Sequence, residues 1–231
     1  MPRQDNYIGK EFEGYELADK EHTYSEKYLR KGIQMIESMA GRHSKALQTR
    51  MDFRYPQSYQ SDGSNRDFST VLKTFSKELC RKKYDPQYIA RREQKKSTNP
   101  HLHVNMIVNG NKKRCRASMV ESAEKHWANT LGIPVEEVHE KQLVYSCNKD
   151  PEGNPRPNGY MIDRNKPDHD EMKNNAIRQM SYLAKKDPED VTPSSTRKFF
   201  TSQFQKDYDQ AMEHKQNWIE KNIASNDIVF R

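Results

Sequence analysis

Arg91-Arg-Glu-Gln-Lys-Lys-Ser-Thr-Asn-Pro-His-Leu-His-Val-Asn-Met-Ile-Val108 is the stretch on which the fold turns. Its second half alternates as a β-strand does, so His101, His103 and Asn105 project from one face and Leu102, Val104 and Met106 from the other. Two imidazoles therefore stand side by side. Glu93 ends a preceding strand-like run, Tyr88-Ile-Ala-Arg-Arg, and the polar segment 94–100 with its proline can turn the chain back into an antiparallel pairing. That turn carries a carboxylate toward the histidines. Two neutral nitrogens and one hard oxygen on a rigid sheet suit a divalent ion with positions left open for substrate, and manganese and magnesium fit equally.

Outward from this hairpin, Ala46 to Arg54 reads as an earlier strand stopped by Tyr55-Pro56. Asp67 is placed to cap a helix in which Phe68, Val71, Leu72, Phe75 and Leu79 fall at helical spacing. Asn109-Gly110 is a turn signal, followed by the basic cluster Lys112-Lys-Arg-Cys-Arg116, which is expected to hold phosphates beside the metal site. Ser118 and Glu121 have capping-box spacing for a helix that reaches Trp127 and stops at Gly132. Gln142 to Cys147 is a short last strand. The order is βαββαβ, which predicts an α+β fold with the split-βαβ antiparallel sheet of ferredoxin-like and RNA-recognition-motif-like proteins. In the usual strand order of that fold, 4-1-3-2, the histidine strand is central and Glu93 lies on its neighbour.

The flanks are less patterned. Residues 1–22 read as a polar arm that orders on a partner. Thr23 and Glu26 have capping-box spacing for a helix with Leu29, Ile33, Ile36 and Ala40 on one face, ending at Gly41. Residues 148–167, rich in Asn, Pro and Gly, read as a long exposed loop. A further helix is expected from about Asp170 to Lys186, capped by Asp168 and ended by Asp187-Pro188. Residues 188–231 read as a partly helical extension in which Phe199, Phe200, Phe204 and Tyr208 pack.

With 231 residues the chain has room for one sizeable domain plus extensions. Hydrophobic residues make up only 32%, which predicts a modest core. The net charge of +7 favours an anionic partner, with nucleic acid the first candidate. Cys80, Cys115 and Cys147 are odd in number and widely spaced, so neither a disulfide framework nor a zinc ribbon is indicated. No apolar run approaches a membrane span and the N-terminus has no signal-peptide core, so a cytoplasmic protein without a membrane partner is expected.

On the predicted helix over 170–186, Met172, Ala176, Met180 and Leu183 form one apolar stripe. Tyr182 falls off that stripe, in the company of Arg178, Lys185 and Lys186, where it is placed for an anion rather than for packing. A phenol with its pKa near 10 is a weak nucleophile until cations favour its ionised form, and Lys185 supplies one three residues on.

Taken together these residues resemble the HUH endonucleases, specifically the initiators of rolling-circle replication. The similarity rests on Met51-Asp-Phe-Arg-Tyr-Pro56, on Glu93 with His101-Leu-His103, and on Tyr182-Leu-Ala-Lys185. It covers about residues 46–187 and in detail is most similar to replication proteins of filamentous phages and related prophage elements. The resemblance implies that Tyr182 attacks a phosphodiester of single-stranded or hairpin origin DNA, keeps the 5′ phosphate and frees a 3′ hydroxyl for a host polymerase. Glu93, His101 and His103 would hold the divalent metal, and Lys185 would assist. Arg54 and Tyr55 would join Lys112, Lys113, Arg114 and Arg178 in holding DNA. Lys186 stands where a second tyrosine would be needed, so the pattern is that of single-tyrosine initiators. The Gly-x-x-x-x-Gly-Lys phosphate loop is missing, so unwinding would fall to a host helicase. Two other readings are a non-catalytic origin-binding or autoregulatory protein on the same fold, and a relaxase-like transfer enzyme, against which the small size and the late tyrosine count.

Overall fold

The computed structural model describes residues 5–19, 21–149 and 153–202. Four two-residue strands come first: β1 (Tyr7–Ile8), β2 (Glu11–Phe12), β3 (Tyr15–Glu16) and β4 (Thr23–Tyr24). There follow α1 (Glu26–Arg42), β5 (Lys45–Phe53), α2 (Arg66–Arg81), β6 (Gln87–Glu93), β7 (His101–Asn109), α3 (Ala117–Leu131) and α4 (Val135–Glu140). Next are β8 (Val144–Tyr145), β9 (Met161–Asp163), α5 (His169–Ser181), a 3₁₀ turn (Tyr182–Ala184) and β10 (Phe199–Thr201).

The main sheet runs β10-β6-β7-β5-β8, and β9 shares the outer edge of β5 with β8. Every pairing in it is antiparallel. The expected α+β class, the βαββαβ order and the central place of the histidine strand are all present, as β8-β5-β7-β6. Two strands were not foreseen. β9 arises inside the segment read as a loop, and its approach depends on Gly159, where a Cβ would lie 2.1 Å from the Gln48 carbonyl oxygen. β10 comes from the segment read as helical, and pairs Phe199–Thr201 with Ile89–Arg91. Phe204 and Tyr208 lie outside the described residues.

The period-2 alternation of the strands sorts their side chains onto two faces. Leu47, Met51, Phe53, Leu102, Val104, Met106 and Val108 share a core with Phe68, Phe75 and Leu79 of α2 and Met119, Ala123 and Trp127 of α3. Each such side chain, removed from water, contributes about 1.5–3 kcal/mol. On the other face, Ala46, Ile89 and Ile107 lie beneath Ile33 and Ile36 of α1 and Ala176, Ile177 and Met180 of α5. Toward Glu93 and His101 that second face turns polar.

Several local expectations change. Ser25, not Thr23, caps α1, accepting from the Tyr28 amide at 3.4 Å, and the helix continues through Gly41 to Arg42. Asp67 lies inside α2 and accepts from the Tyr55 and Tyr59 hydroxyls, each at 3.2 Å. α3 has no side-chain cap at its start, but ends at Gly132 in the left-handed region, φ +68°. α5 stops at Ser181, short of Lys186, because the chain leaves the helix to pair with the N-terminal segment. The Ser25 amide donates to the Ala184 carbonyl at 2.9 Å and the Lys186 amide to the Thr23 carbonyl at 2.7 Å. Residues 5–19 are correspondingly no free arm: Phe12 and Leu17 are buried with α1 and α5. No helix among the described residues is long and apolar enough to cross a membrane.

Candidate metal centre

Register, not only alternation, assembles the polar end of the sheet. Glu93 pairs directly with His101 across β6 and β7, and Arg91 with His103. On the other side of β7, Asp52 of β5 faces His103 and Arg50 faces Asn105. The two imidazole Nε2 atoms converge on one oxygen, Glu93 Oε2, at 3.1 Å from His101 and 3.2 Å from His103. The rings meet edge to face with centroids 4.8 Å apart, so they are not stacked shut. His103 is buried and His101 partly exposed, which leaves the centre open on the His101 side.

Asp52, absent from the sequence-based candidates, accepts a 2.7 Å hydrogen bond from His103 Nδ1. A carboxylate at Nδ1 fixes the proton there and turns the Nε2 lone pair inward, as outer-shell partners of metal-bound histidines do. Without a cation, that lone pair would face the Glu93 carboxylate unless a second proton intervened. Burial alone would lower the His103 pKa, but Asp52 and Glu93 overcome it and raise it above the ordinary imidazole value. Burial likewise opposes ionisation of Glu93, yet the two imidazoles and Arg91 hold it far below the usual carboxylate range. The donor set therefore attracts positive charge, and the three ligand atoms lie within 4.8 Å of one another. Glu93, His101 and His103 could hold a metal ion, and among the described residues they are the group of three that could.

Tyr182 stands beside them. Its ring centroid lies 5.9 Å from that of His103, edge to face, and the Arg50 guanidinium lies 4.4 Å over its face. This corrects the expected setting: Tyr182 begins the 3₁₀ turn after α5, half-buried over β5 and β7, and its nearest cation is Arg50. Burial raises its pKa; Arg50 pulls it back, while Glu93 and Asp52 push it further up. Lys185 stays in the neighbourhood, with Nζ 6.0 Å from the Tyr182 ring and 3.7 Å from Asp187. The turn is pinned from the sheet as well, because buried Arg91 donates to the Lys185 carbonyl and lies 3.4 Å from Glu93 and 3.6 Å from Asp190.

The expected DNA contacts divide. Arg54 is exposed at this end of β5, its guanidinium 5.3 Å over the Tyr145 ring. Tyr55 is a core residue: it is 8% exposed, stacks on Tyr59 and hydrogen-bonds Asp67, so it has no free face for a base. Lys112 and Lys113 cap the far end of β7, eight residues and about 27 Å from His101 at the usual strand rise. Arg114 also follows that end, so the basic cluster is not beside the metal centre. Arg178 is exposed on α5 and faces Glu16 at 3.9 Å. Lys186 reaches Asp5 and Asn6 of the N-terminal segment instead of the site.

Arg50 and Asp52 were missed, although Thr49-Arg-Met-Asp-Phe53 alternates and places both on one face. What the pattern lacks is the register that slides that face against His103. No curated protein and no solved structure matches the chain. The model of the YagK/YfjJ C-terminal domain family matches residues 9–221, nearly the whole length, and the chain belongs to that family.

Proposed function

We propose that the chain is a site-specific, metal-dependent nicking and joining enzyme for single-stranded DNA that acts through a 5′-phosphotyrosine on Tyr182. The observation that carries the reading is the placement of the Tyr182 ring against His103, a member of a Glu-His-His donor set. The Tyr182 oxygen attacks phosphorus, the bond from phosphorus to the 3′ oxygen breaks, and the 3′ hydroxyl leaves with a proton. The new phosphotyrosine bond conserves the energy of the old linkage, so a 3′ hydroxyl can reverse the step and join ends.

Arg50 stabilises the phenolate and Asp52 holds His103 in its inward tautomer. A divalent ion held by Glu93, His101 and His103 would polarise the scissile phosphate and supply positive charge at the developing transition state. Lys185 and Arg54 add positive charge at the same end. The reaction would initiate rolling-circle replication of a phage, plasmid or other mobile element in a bacterial cytoplasm, with a host helicase and polymerase completing it.

The test is covalent capture. Incubated with manganese and a pool of single-stranded oligonucleotides, the chain should give an SDS-resistant adduct that Tyr182→Phe abolishes. Replacing His101 and His103 by Ala should remove metal-dependent cleavage and leave the far-ultraviolet dichroism intact. DNA binding without an adduct in the wild-type chain would leave a non-catalytic origin-binding protein instead.

A further inference from the structure

Beside His101, and outside the donor set, a groove of 710 Å³ opens between the β6–β7 loop and the chain that leaves β5. Its walls include Arg54, Pro56, Gln57, Lys96, Pro100 and His101. We propose that it receives an unpaired nucleotide adjoining the scissile phosphate and reads its base, with Gln57 as the specificity determinant and Lys96 holding phosphate. The inference rests on the DNA-transfer reading above for the identity of the ligand; the groove itself rests on three separate observations.

The first is that the walls are built in advance. Asn99 donates to the Tyr59 carbonyl at 2.6 Å and accepts from the Ser61 amide at 3.0 Å, fastening the loop to the opposite wall. Ser97 donates to the Asn99 carbonyl at 2.6 Å and Gln94 to the Thr98 carbonyl at 3.1 Å. Lys95 reaches Asp187 at 2.7 Å, tying the same loop to the segment that follows the Tyr182 turn. A surface loop fastened on two sides keeps its shape without a ligand.

The second is which groups remain free. Gln57 and Lys96 are exposed, and neither has an ion pair or a side-chain hydrogen bond among the described residues. A neutral amide offers donor and acceptor together, as a base edge requires, and Lys96 with Arg54 can meet phosphate. The third is position and size. His101 belongs both to the donor set and to the groove wall, so a strand with its phosphate at the centre has its neighbouring nucleotide here. The volume lies within the range of small-molecule sites, and splayed bases of single strands are read in such recesses.

The experiment selects substrates from a single-stranded library randomised around a fixed core, scoring manganese-dependent adduct by sequencing. Tyr182→Phe protein is measured in parallel for binding by fluorescence anisotropy. Wild-type protein should show a base preference at one position next to the cleavage point. Gln57→Ala should flatten that preference by roughly 5- to 100-fold, the worth of one well-made base contact. In the Tyr182→Phe background, Lys96→Ala should weaken binding of every sequence alike. An unchanged preference and unchanged affinity in both variants would overturn the groove and leave the nicking reading standing. Loss of binding in the variants, with no adduct from wild-type protein under any condition, would keep the groove and sink the nicking reading.

Discussion

At the level of single residues, the centre depends on side chains that do not touch a substrate. Asp52 determines which nitrogen of His103 carries its proton, and does so from β5, the neighbour of β7 on the side away from Glu93. Asp52→Asn keeps the shape but removes the charge. The expected result is manganese affinity reduced about 10- to 100-fold, read by titration calorimetry, with unfolding by urea little changed. An affinity equal to wild type would show that the His103 tautomer is set elsewhere. Arg50 is the other hidden participant: a buried guanidinium over a phenol ring is worth about 2 kcal/mol or more where water is excluded. It also balances the negative charge of Asp52, whose carboxylate lies 3.8 Å away.

At the level of elements, the N-terminal strands hold the turn that begins at Tyr182 in place. Thr23 of β4 accepts from the Lys186 amide and Ser25 just after it donates to the Ala184 carbonyl, one at each end of the exit from the Tyr182 turn, while Phe12 and Leu17 pack with α1 and α5. Removing residues 1–22 takes away β1, the strand paired with β4, together with Phe12 and Leu17, and should leave manganese binding within about twofold and slow adduct formation by about 10- to 100-fold, because small misplacements of a reacting group are costly. Equal losses in both measurements would place the strands in folding alone. A different pair of elements, α2 and α3, is joined through Glu78, which takes hydrogen bonds from His126 at 2.6 Å and Ser122 at 3.0 Å. Burial opposes its ionisation, but Lys82, His126 and Ser122 hold its pKa down at about 2. A depressed carboxylate stabilises the fold above its unfolded value, 4.5, and loses that contribution as pH falls toward 2. Wild type and Glu78→Gln should thus differ in urea stability at pH 7, differ less at pH 3, and converge near pH 2. A gap that stays constant across this range would show that the carboxylate charge contributes nothing.

Across the whole molecule, one sheet serves two purposes. Its inner face toward α2 and α3 is continuous core, while the opposite face is apolar under α1 and α5 and charged where those helices end. Binding at the charged end should feed back on the stability of the entire fold. Manganese at a hundred times its dissociation constant should add about 2.7 kcal/mol and raise the melting temperature by about 5–10 °C. The shift should vanish when His101 and His103 are both Ala, and a shift that survives would put the ion at another place. The formal charge of +7 adds a second global expectation: if the chain takes DNA as proposed, its affinity for it should fall steeply with salt.

Alternation alone determined that Leu102, Val104 and Met106 are core and that His101 and His103 share a face, because the side-chain period of a strand is a local property of the backbone. The order of elements was legible from local patterns too, whereas the central place of the histidine strand came from the usual strand order of the split-βαβ fold and not from alternation. The partners of those histidines were only half legible. Glu93 was reachable, since a short turn leaves few ways to pair the strand it ends with the next. Asp52 and Arg50 were not, since a shift of one residue in the pairing of β5 with β7 would turn both away. The length of α5 also escaped local reading: Tyr182-Leu-Ala-Lys185 is good helical sequence, and the chain leaves the helix only because backbone groups near Thr23 compete for its hydrogen bonds. Local chemistry thus named the donors and the phenol, and long-range hydrogen bonding decided that they meet.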